Sequence, residues 1–504
     1  MRQQVTPSSD VLGARLRPGG VRTLVALEAA LAAVLGAIAL GHRSYWLDES
    51  VSVTIAKLNW SGFTHVVKTR EANMALYHLL LSGWTDLFGD SEAATRSLSV
   101  LVGAAAVPVL FLLGRRLAGT TAGLVAGLLL AVNPMFVRYA QEARGYALCL
   151  LLVTTASYLF VRGLQEPSWA TWVAYAAVAA LAAYAHFFAL LVPAASAVSL
   201  LFLRGTPLPW RKILGAAVLL GLLLLPLVVL VSSNTSSGIG WASGNRIGRV
   251  FKSIHHHPPL VAAVLVVGGL CLVAAWLGLR RALGRRFGSP AAWSWGFVGS
   301  WIVVPFVVVA VLGVVYRPLF VLRYFIVCLP AVMLAGALLV GAVRRRWLAA
   351  SLLAALVAVS VVGTARWYRN GQNEDWRHAT RYVLGSARPG DGVLFYAPYV
   401  RIPFTLYLDR GPRTGALPAP VYPAAGWFTP AIRFNNYVPV TATGVTGAAR
   451  RFKRVWLVVS HAQLYGGRDP GYDAVRAGLA ADGLRLGPAR RFSGVRVVRY
   501  QATR

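Results

Sequence analysis

The sequence predicts a polytopic, all-α membrane protein with a small α/β domain at its C-terminal end. Three observations predict it. Of 504 residues, 57% are hydrophobic and only 13% charged, about half the charged fraction of an average soluble domain. The apolar residues come in long runs rather than in helical or strand alternation, and a spanning helix needs roughly 17–25 such residues in a row. Past residue 365 the runs shorten to strand length and alternate with helix-like stretches. This composition excludes an ordinary soluble enzyme, a disordered chain and a coiled coil.

Residues 1–21 are polar and basic, and predict a disordered cytoplasmic N-terminus. The apolar runs that follow are 22–41, 95–113, 119–137, 144–162, 169–185, 187–203, 212–232, 259–279, 293–315, 320–342 and 347–364. They predict about eleven transmembrane helices, with about thirteen as the upper bound. The first run lacks a small-residue cleavage pattern and reads as a retained helix rather than a signal peptide. The pair 169–185 and 187–203 is short and meets at His186. The segment 74–88 (MALYHLLLSGWTDLF) is too short to span and carries His78 and Asp86, so it predicts a helix lying in the outer interface, with Tyr77 and Trp84 at headgroup level.

Orientation follows from Lys and Arg near the helix ends. Arg15, Arg17 and Arg22, then Arg115 and Arg116, Arg162, Arg204 with Arg211 and Lys212, LRRALGRR (279–286) and VRRRW (343–347) all fall on one side if the spans alternate. That side is the cytoplasm. The transmembrane domain is then 22–365, with an outer loop at 42–94, and 366–504 is extracytoplasmic. In that last region DGVLFYAP (391–398), RVWLVVS (454–460) and VRVVRY (495–500) read as strands, WRHATRYVLGSA (376–387) and YDAVRAGLAADG (472–483) as helices, and 410–450 as loop.

Lys plus Arg number 50 against 17 Asp plus Glu, a net charge of +33. In a membrane protein such an excess suits an anionic leaflet or lipid phosphate, and no basic helix or aromatic platform suggests nucleic acid. The three cysteines, Cys149, Cys271 and Cys328, sit inside apolar runs and offer neither a disulfide framework nor metal-ligand spacing.

The acids are the most informative feature, because carboxylates near a bilayer are costly and tend to mark function. None lies between 167 and 373. Asp48, Glu49, Glu71, Asp86, Asp90, Glu92 and Glu142 all fall in the first two outer loops. Asp48 and Glu49, in YWLDES, read either as a solvated or helix-capping pair or as a general base with its neighbour. Glu142 and Arg144, in RYAQEARGYAL, read either as a helix-end ion pair or, with Arg138, as a phosphate grip. Arg323, beside Tyr324 in YRPLFVLRYFI, sits just inside an apolar run; it either snorkels or meets an anionic headgroup. Glu28, inside the first span, has no assigned role. The tract His255, His256 and His257 reads as a loop without a metal, and His186 stands at an outer turn.

With these residues in order, the chain resembles the membrane glycosyltransferases of the GT-C fold, above all the bacterial relatives of protein O-mannosyltransferases and of lipid A aminoarabinose transferases. The resemblance rests on WLDES (46–50), NMALYHLLLSGW (73–84) running into FGDSEAATRSLSVL (88–101), NPMFVRYAQEARGYAL (133–148), and the RYF of a late helix followed by NEDWRHATRYV (373–383). Where many relatives carry a Pro-Pro pair this chain has Met74-Ala75, and Asn73 stands where some place a Lys.

The resemblance implies a polyprenyl-phosphate-linked sugar as donor, with mannose the first expectation, and an extracytoplasmic acceptor that is a protein, lipid or glycan. It implies inverting displacement, with Asp48 and Glu49 as catalytic groups. Arg138, Arg144, Arg323 and Tyr324 would hold the donor phosphate, and Glu71, Asn73, Tyr77, Glu142 and His186 would serve the acceptor or support the site. No cofactor motif is present, and a divalent metal stays open because the outer-loop acids show no ligand spacing. A lipid or polysaccharide transporter and a non-catalytic scaffold are the rival readings; a transporter calls for acids or broken helices near the midplane.

Overall fold

The computed structural model describes residues 17–69, 71–203, 207–232, 290–315, 321–371, 373–396, 400–410, 417–422, 446–460 and 470–502. The expected span 259–279, the histidine tract, the basic run 279–286 and much of 410–450 lie outside the described residues.

Seven described helices are long and apolar enough to cross a membrane: Pro18–Ala37, Glu92–Ala118, Tyr146–Gln165, Trp210–Ser232, Ala291–Leu312, Leu322–Ala342 and Arg346–Asn370. A bent pair, Thr120–Ala131 with Pro134–Ala140, makes an eighth if taken as one span, and Trp169–Ala185 and Phe187–Phe202 are shorter apolar helices. The protein is thus a multi-pass membrane protein. We label Pro18–Ala37 α1, Leu47–Ala56 α2, Trp60–Thr69 α3, Ala75–Phe88 α4, Glu92–Ala118 α5, Thr120–Ala131 α6, Pro134–Ala140 α7, Tyr146–Gln165 α8 and Trp169–Ala185 α9.

The helices pack closely where the sequence supplies small residues, as membrane helices do in the absence of a hydrophobic drive between them. Gly114 of α5 faces Gly123 of α6, and a Cβ on Gly123 would stand 2.5 Å from the Phe111 carbonyl oxygen. The 59° bend between α6 and α7 has a local cause. Pro134 starts α7 without an N–H to give, and the Asn133 side chain accepts from the amides of Met135 (2.9 Å) and Phe136 (3.2 Å). The long helices also sort the charges. The N-terminal ends of α5 and α8 carry Arg96 and Tyr146, while at their far ends Arg116 pairs with Glu166 at 3.2 Å.

The C-terminal region forms a five-stranded sheet in the order β2-β1-β3-β5-β4. The strands are Gly392–Tyr396, Ala419–Tyr422, Arg454–Ser460, Leu484–Phe492 and Val495–Ala502, numbered β1 to β5 in chain order. β1 runs parallel to β2 and β3, and β5 runs antiparallel to β3 and β4. Helices Trp376–Ser386 and Pro470–Ala481 match expectation, whereas β2, β4 and the helix Arg401–Arg410 did not stand out in the sequence. β2 lies in a Pro-rich stretch, and β4 (LRLGPARRF) is an outer strand with its basic residues exposed, so neither shows an apolar run.

The sheet's core is continuous with the 42–94 and 138–145 segments: Tyr45, Val53 and Ala143 are buried in it. Polar contacts reinforce the join. Glu92 accepts from Arg377 (2.7 Å) and from the Tyr407 hydroxyl (2.6 Å), Tyr45 N–H donates to Tyr407 (2.8 Å), and Leu47 N–H donates to Glu374 (3.2 Å). Helix α4 has the expected extent, but Tyr77 is not a headgroup aromatic, and Trp84 is half-buried. Tyr77 is fully buried with its hydroxyl on Ser99 (2.9 Å), and the Trp84 indole donates to the Ala94 carbonyl (2.8 Å). Both rings are taken up by the adjacent α5.

Because Gly123 has no room for a side chain against the α5 backbone, Gly123→Leu should overpack the α5–α6 contact at a cost of at least about 1–3 kcal/mol. Its melting temperature in detergent should fall clearly below that of Gly221→Leu, which meets open space.

Candidate active site

The turn before α2 places two adjacent carboxylates in opposite situations. Glu49 points inward and is fully buried. Its two oxygens meet Arg96 of α5 in a bidentate pair, with Nε to Oε1 and Nη2 to Oε2 both at 2.7 Å. Oε1 also accepts the Ala143 amide (2.9 Å), and Oε2 the Trp46 amide (3.3 Å). The rest of the Arg96 fork donates to the carbonyls of Leu40, Arg43 and Ser44. Glu49, expected as a catalytic group, has no open lone pair in this structure. Its lone pairs are consumed inside the fold, where it fixes the 40–49 turn to α5 and to the 141–145 segment.

Asp48 faces the other way. Its side chain keeps a quarter of its surface open, and its Oδ2 lies 3.5 Å from Arg323 Nη1 and 4.0 Å from Arg144 Nη2. Arg144 also donates through Nη1 to the Ser52 hydroxyl (3.1 Å) and the Asp48 carbonyl (3.3 Å). Arg323 lies in a 3-10 turn, Leu322–Cys328, with its guanidinium over the rings of Trp46 (5.4 Å) and Tyr324 (5.7 Å). Residues 96 and 275 positions apart in the chain thus meet on one carboxylate, and neither arginine snorkels away.

Glycine permits the convergence. A Cβ on Gly145 would stand 2.9 Å from the Ala185 carbonyl and 3.2 Å from the Met74 side chain. The start of α8, the end of α9 and the start of α4 approach one another closely there. Met74 itself turns the chain in the left-handed region (φ 67°), and Asn73 accepts the Phe187 amide at 3.1 Å, tying α4 to the turn after α9.

Around this pair the remaining expected residues divide. Glu142 is buried; one oxygen lies 3.5 Å from Arg138 Nε and the other has no hydrogen-bond partner. Burial pushes its carboxyl up to about 7, against the pull of Arg138. Burial likewise pushes Glu71 up to about 7, with Arg144 drawing it down and Asp48 driving it up. Arg138 is two-fifths exposed and stacks on Trp367 (5.1 Å), so it stands at the rim, nearer Glu142 than Asp48. Tyr324 packs on His186 (5.1 Å) and Phe188 (4.7 Å). Tyr77 belongs to the framework and has no exposed surface for an acceptor. Among the described residues no three His, Cys, Asp or Glu side chains are placed to hold a metal ion.

Sequence reasoning missed Arg96, Ser52, His78, Tyr146 and Glu374. His78 lies buried with Nε2 3.4 Å from the Ser52 hydroxyl, behind the hydroxyl that holds Arg144. Arg96 had a legible signal: one arginine a turn inside an apolar helix, a position that demands a buried anion.

Residues 74–232 match the family of dolichyl-phosphate-mannose-protein mannosyltransferases. Among solved structures, the chain is similar to ArnT from Cupriavidus metallidurans bound to undecaprenyl phosphate, at 16% identity over 94% of this chain and 97% of that one, with a TM-score of 0.57. It is also similar to the Archaeoglobus fulgidus oligosaccharyltransferase AglB in complex with an inhibitory peptide and a dolichol-phosphate, at 12% identity over 95% and 74% of the two chains, with a TM-score of 0.57. This chain has the GT-C glycosyltransferase fold. No curated protein matches it in sequence. The GT-C bundle thus carries an acid–arginine cluster where its 42–94 loop, the 141–145 segment and the late 3-10 turn meet.

Two outcomes follow from this geometry. Glu49→Gln should act on folding before chemistry, because it weakens the partner of a buried guanidinium; removing such a partner costs about 3–5 kcal/mol. Its melting temperature in detergent should fall far below that of Asp48→Asn. The second outcome concerns pH. A carboxyl at 4.5 in the unfolded chain and about 7 in the fold holds a proton across that window only when folded. Its contribution is full below 4.5, declines as pH rises to about 7 and is then flat. Glu142→Gln should remove that decline, seen as a smaller slope of melting temperature against pH between 4.5 and 7.

Proposed function

We propose that this protein transfers a hexose, mannose first, from a polyprenyl-phosphate donor to an extracytoplasmic acceptor by inverting displacement. The single observation that carries the reading is the Asp48 carboxylate held between Arg144 and Arg323 with part of its surface open. The undecaprenyl phosphate bound by ArnT, and the dolichol-phosphate and peptide bound by AglB, support the lipid-linked donor and the acceptor site. The family match over 74–232 supports mannose.

In this reading the chain crosses the plasma membrane about eleven times, and the loops 42–94 and 138–143 and the domain 366–504 lie outside. The donor phosphate enters between Arg144 and Arg323 and draws both guanidinium groups from Asp48, with Arg138 at the rim and Tyr324 beside it. Asp48, freed of its cations, accepts the proton of the acceptor hydroxyl. The oxygen attacks the anomeric carbon as the bond to the phosphate oxygen breaks, and the arginines stabilise the charge growing on the leaving polyprenyl phosphate. Glu71 and Glu142 line the acceptor side. Asn73 and Glu49 hold the turns in register. The join between the outer domain and the 44–49 turn gives that domain a bracing role at the base. A transporter reading finds less support, since the carboxylates gather at one end of the bundle.

The test is Asp48→Asn in membranes supplied with radiolabelled polyprenyl-phosphate mannose. Turnover, read as released polyprenyl phosphate, should fall by about 10²–10⁴-fold, with the melting temperature and lipid binding retained. Near-normal turnover in that variant removes Asp48 as the base.

A further inference from the structure

His186 ends α9 with its backbone extended, and its ring is buried. Its Nδ1 faces the Phe188 amide at 3.2 Å. That amide can only donate, so Nδ1 accepts and the ring proton of neutral His186 sits on Nε2. Nε2 has no hydrogen-bond partner. The ring stands between Tyr324 (5.1 Å between centroids) and Tyr146 (5.8 Å). Burial pushes its pKa down to about 3, and the charges of Arg144 and Arg323 add to that. Those same charges place the ring within electrostatic reach of both arginines.

A buried N–H without an acceptor costs about 1–3 kcal/mol. His186 is not alone in this. The Tyr146 hydroxyl and Arg144 Nε are also buried without a partner, and the Arg144 guanidinium lies 6.0 Å from the Tyr146 ring centroid. Three orphaned donors from α8, its leading segment and the end of α9 therefore gather beside two cations. A ligand that satisfies them must offer several acceptors and carry negative charge. A ring with its proton fixed on Nε2 offers no lone pair there, which excludes His186 as a metal ligand or general base through that atom.

We propose that His186, through its Nε2–H, is a donor-binding residue that hydrogen-bonds a phosphate oxygen of the lipid-linked donor, with the Tyr146 hydroxyl as a second neutral donor to the same group. This rests on the donor reading above and adds neutral donors to its arginines. Neutral donors let the site match a developing dianion without adding further cations to a buried cluster, and the Phe188 amide fixes the His186 proton on Nε2 before the ligand arrives.

The experiment measures binding of undecaprenyl phosphate, and of uncharged undecaprenol, to the full-length protein in detergent. His186→Asn keeps an oxygen near Nδ1 for the Phe188 amide and loses the donor at the Nε2 position; His186→Gln carries an amide N–H to about that position. The Asn variant should lose roughly tenfold to a hundredfold in undecaprenyl phosphate affinity, the range for a hydrogen bond to a charged group. Its undecaprenol binding and melting temperature should be unchanged. The Gln variant should recover most of the loss, and Tyr146→Phe should show a loss of the same kind. If wild type distinguishes the two lipids and His186→Asn binds undecaprenyl phosphate equally well, the inference is overturned while the donor reading stands. An equal loss for both lipids also overturns it, since the ring would then serve packing alone. If wild type does not prefer the phosphate, both readings fall.

Discussion

The buried pair of Glu49 and Arg96 is the constraint on which the site depends. The bidentate contact is 2.7 Å on both arms, and so deep a pair is tolerated when its remaining donors and acceptors are used. Here they are used: Arg96 spends its spare N–H groups on three carbonyls of the 40–44 segment, and Glu49 takes the amide of Ala143. One ion pair thus fastens the 40–49 turn, the N-terminal end of α5 and the segment leading into α8. A charged pair so deeply buried adds little net stability over an apolar one, but its directionality fixes orientation. With Glu49 locked inward, its neighbour at the start of α2 is directed outward, toward the arginines.

The electrostatics around Asp48 then follow from a crowding of like charges that the fold tolerates because each is answered. Two arginines share one carboxylate oxygen, a third pairs with Glu142 at the rim, and aromatic faces of Trp46, Tyr324 and Trp367 cover the guanidinium planes. Such a cluster gathers its cations for an anion: hydrogen bonds and stacking hold them together before any ligand enters. The sheet domain takes part from outside. Its core takes in Tyr45 and Val53, and Glu374 receives the Leu47 amide next to Asp48. The C-terminal domain and the loop that carries the acid are mechanically one piece.

The chain's apolar runs made the helices legible, because a membrane-spanning segment must satisfy its own backbone hydrogen bonds and therefore announces itself in composition. Strands β1, β3 and β5 were legible for the same reason, being buried enough to need apolar runs. β2 and β4 were not, since an outer strand is defined by pairing rather than by burial. The candidate site was legible in part. The acids stood out by rarity, and Arg144 and Arg323 by their cost near a bilayer. Arg96 carried the same signal and was missed, and which acid answers it depends on where the fold places Glu49. Tyr77 and Trp84 read as interfacial aromatics, yet a tyrosine or indole at a helix–helix contact has the same sequence signature, and the neighbouring Ser99 and Ala94 carbonyl decided between them.

By itself the sequence determined the class of molecule, the long helices, the strands of the sheet's core and the short roster of acids and arginines from which a site can be built. Those are consequences of composition and hydropathy, which act residue by residue along the chain. Only the tertiary structure decided which of two adjacent carboxylates is framework and which is open, that Arg144 and Arg323 meet on the same oxygen, and that the His186 Nε2 is buried without a partner. Those depend on which atoms end up within about 3 Å of each other, and contacts between residues hundreds of positions apart are fixed by packing and glycine clearance, which no local pattern in the chain records.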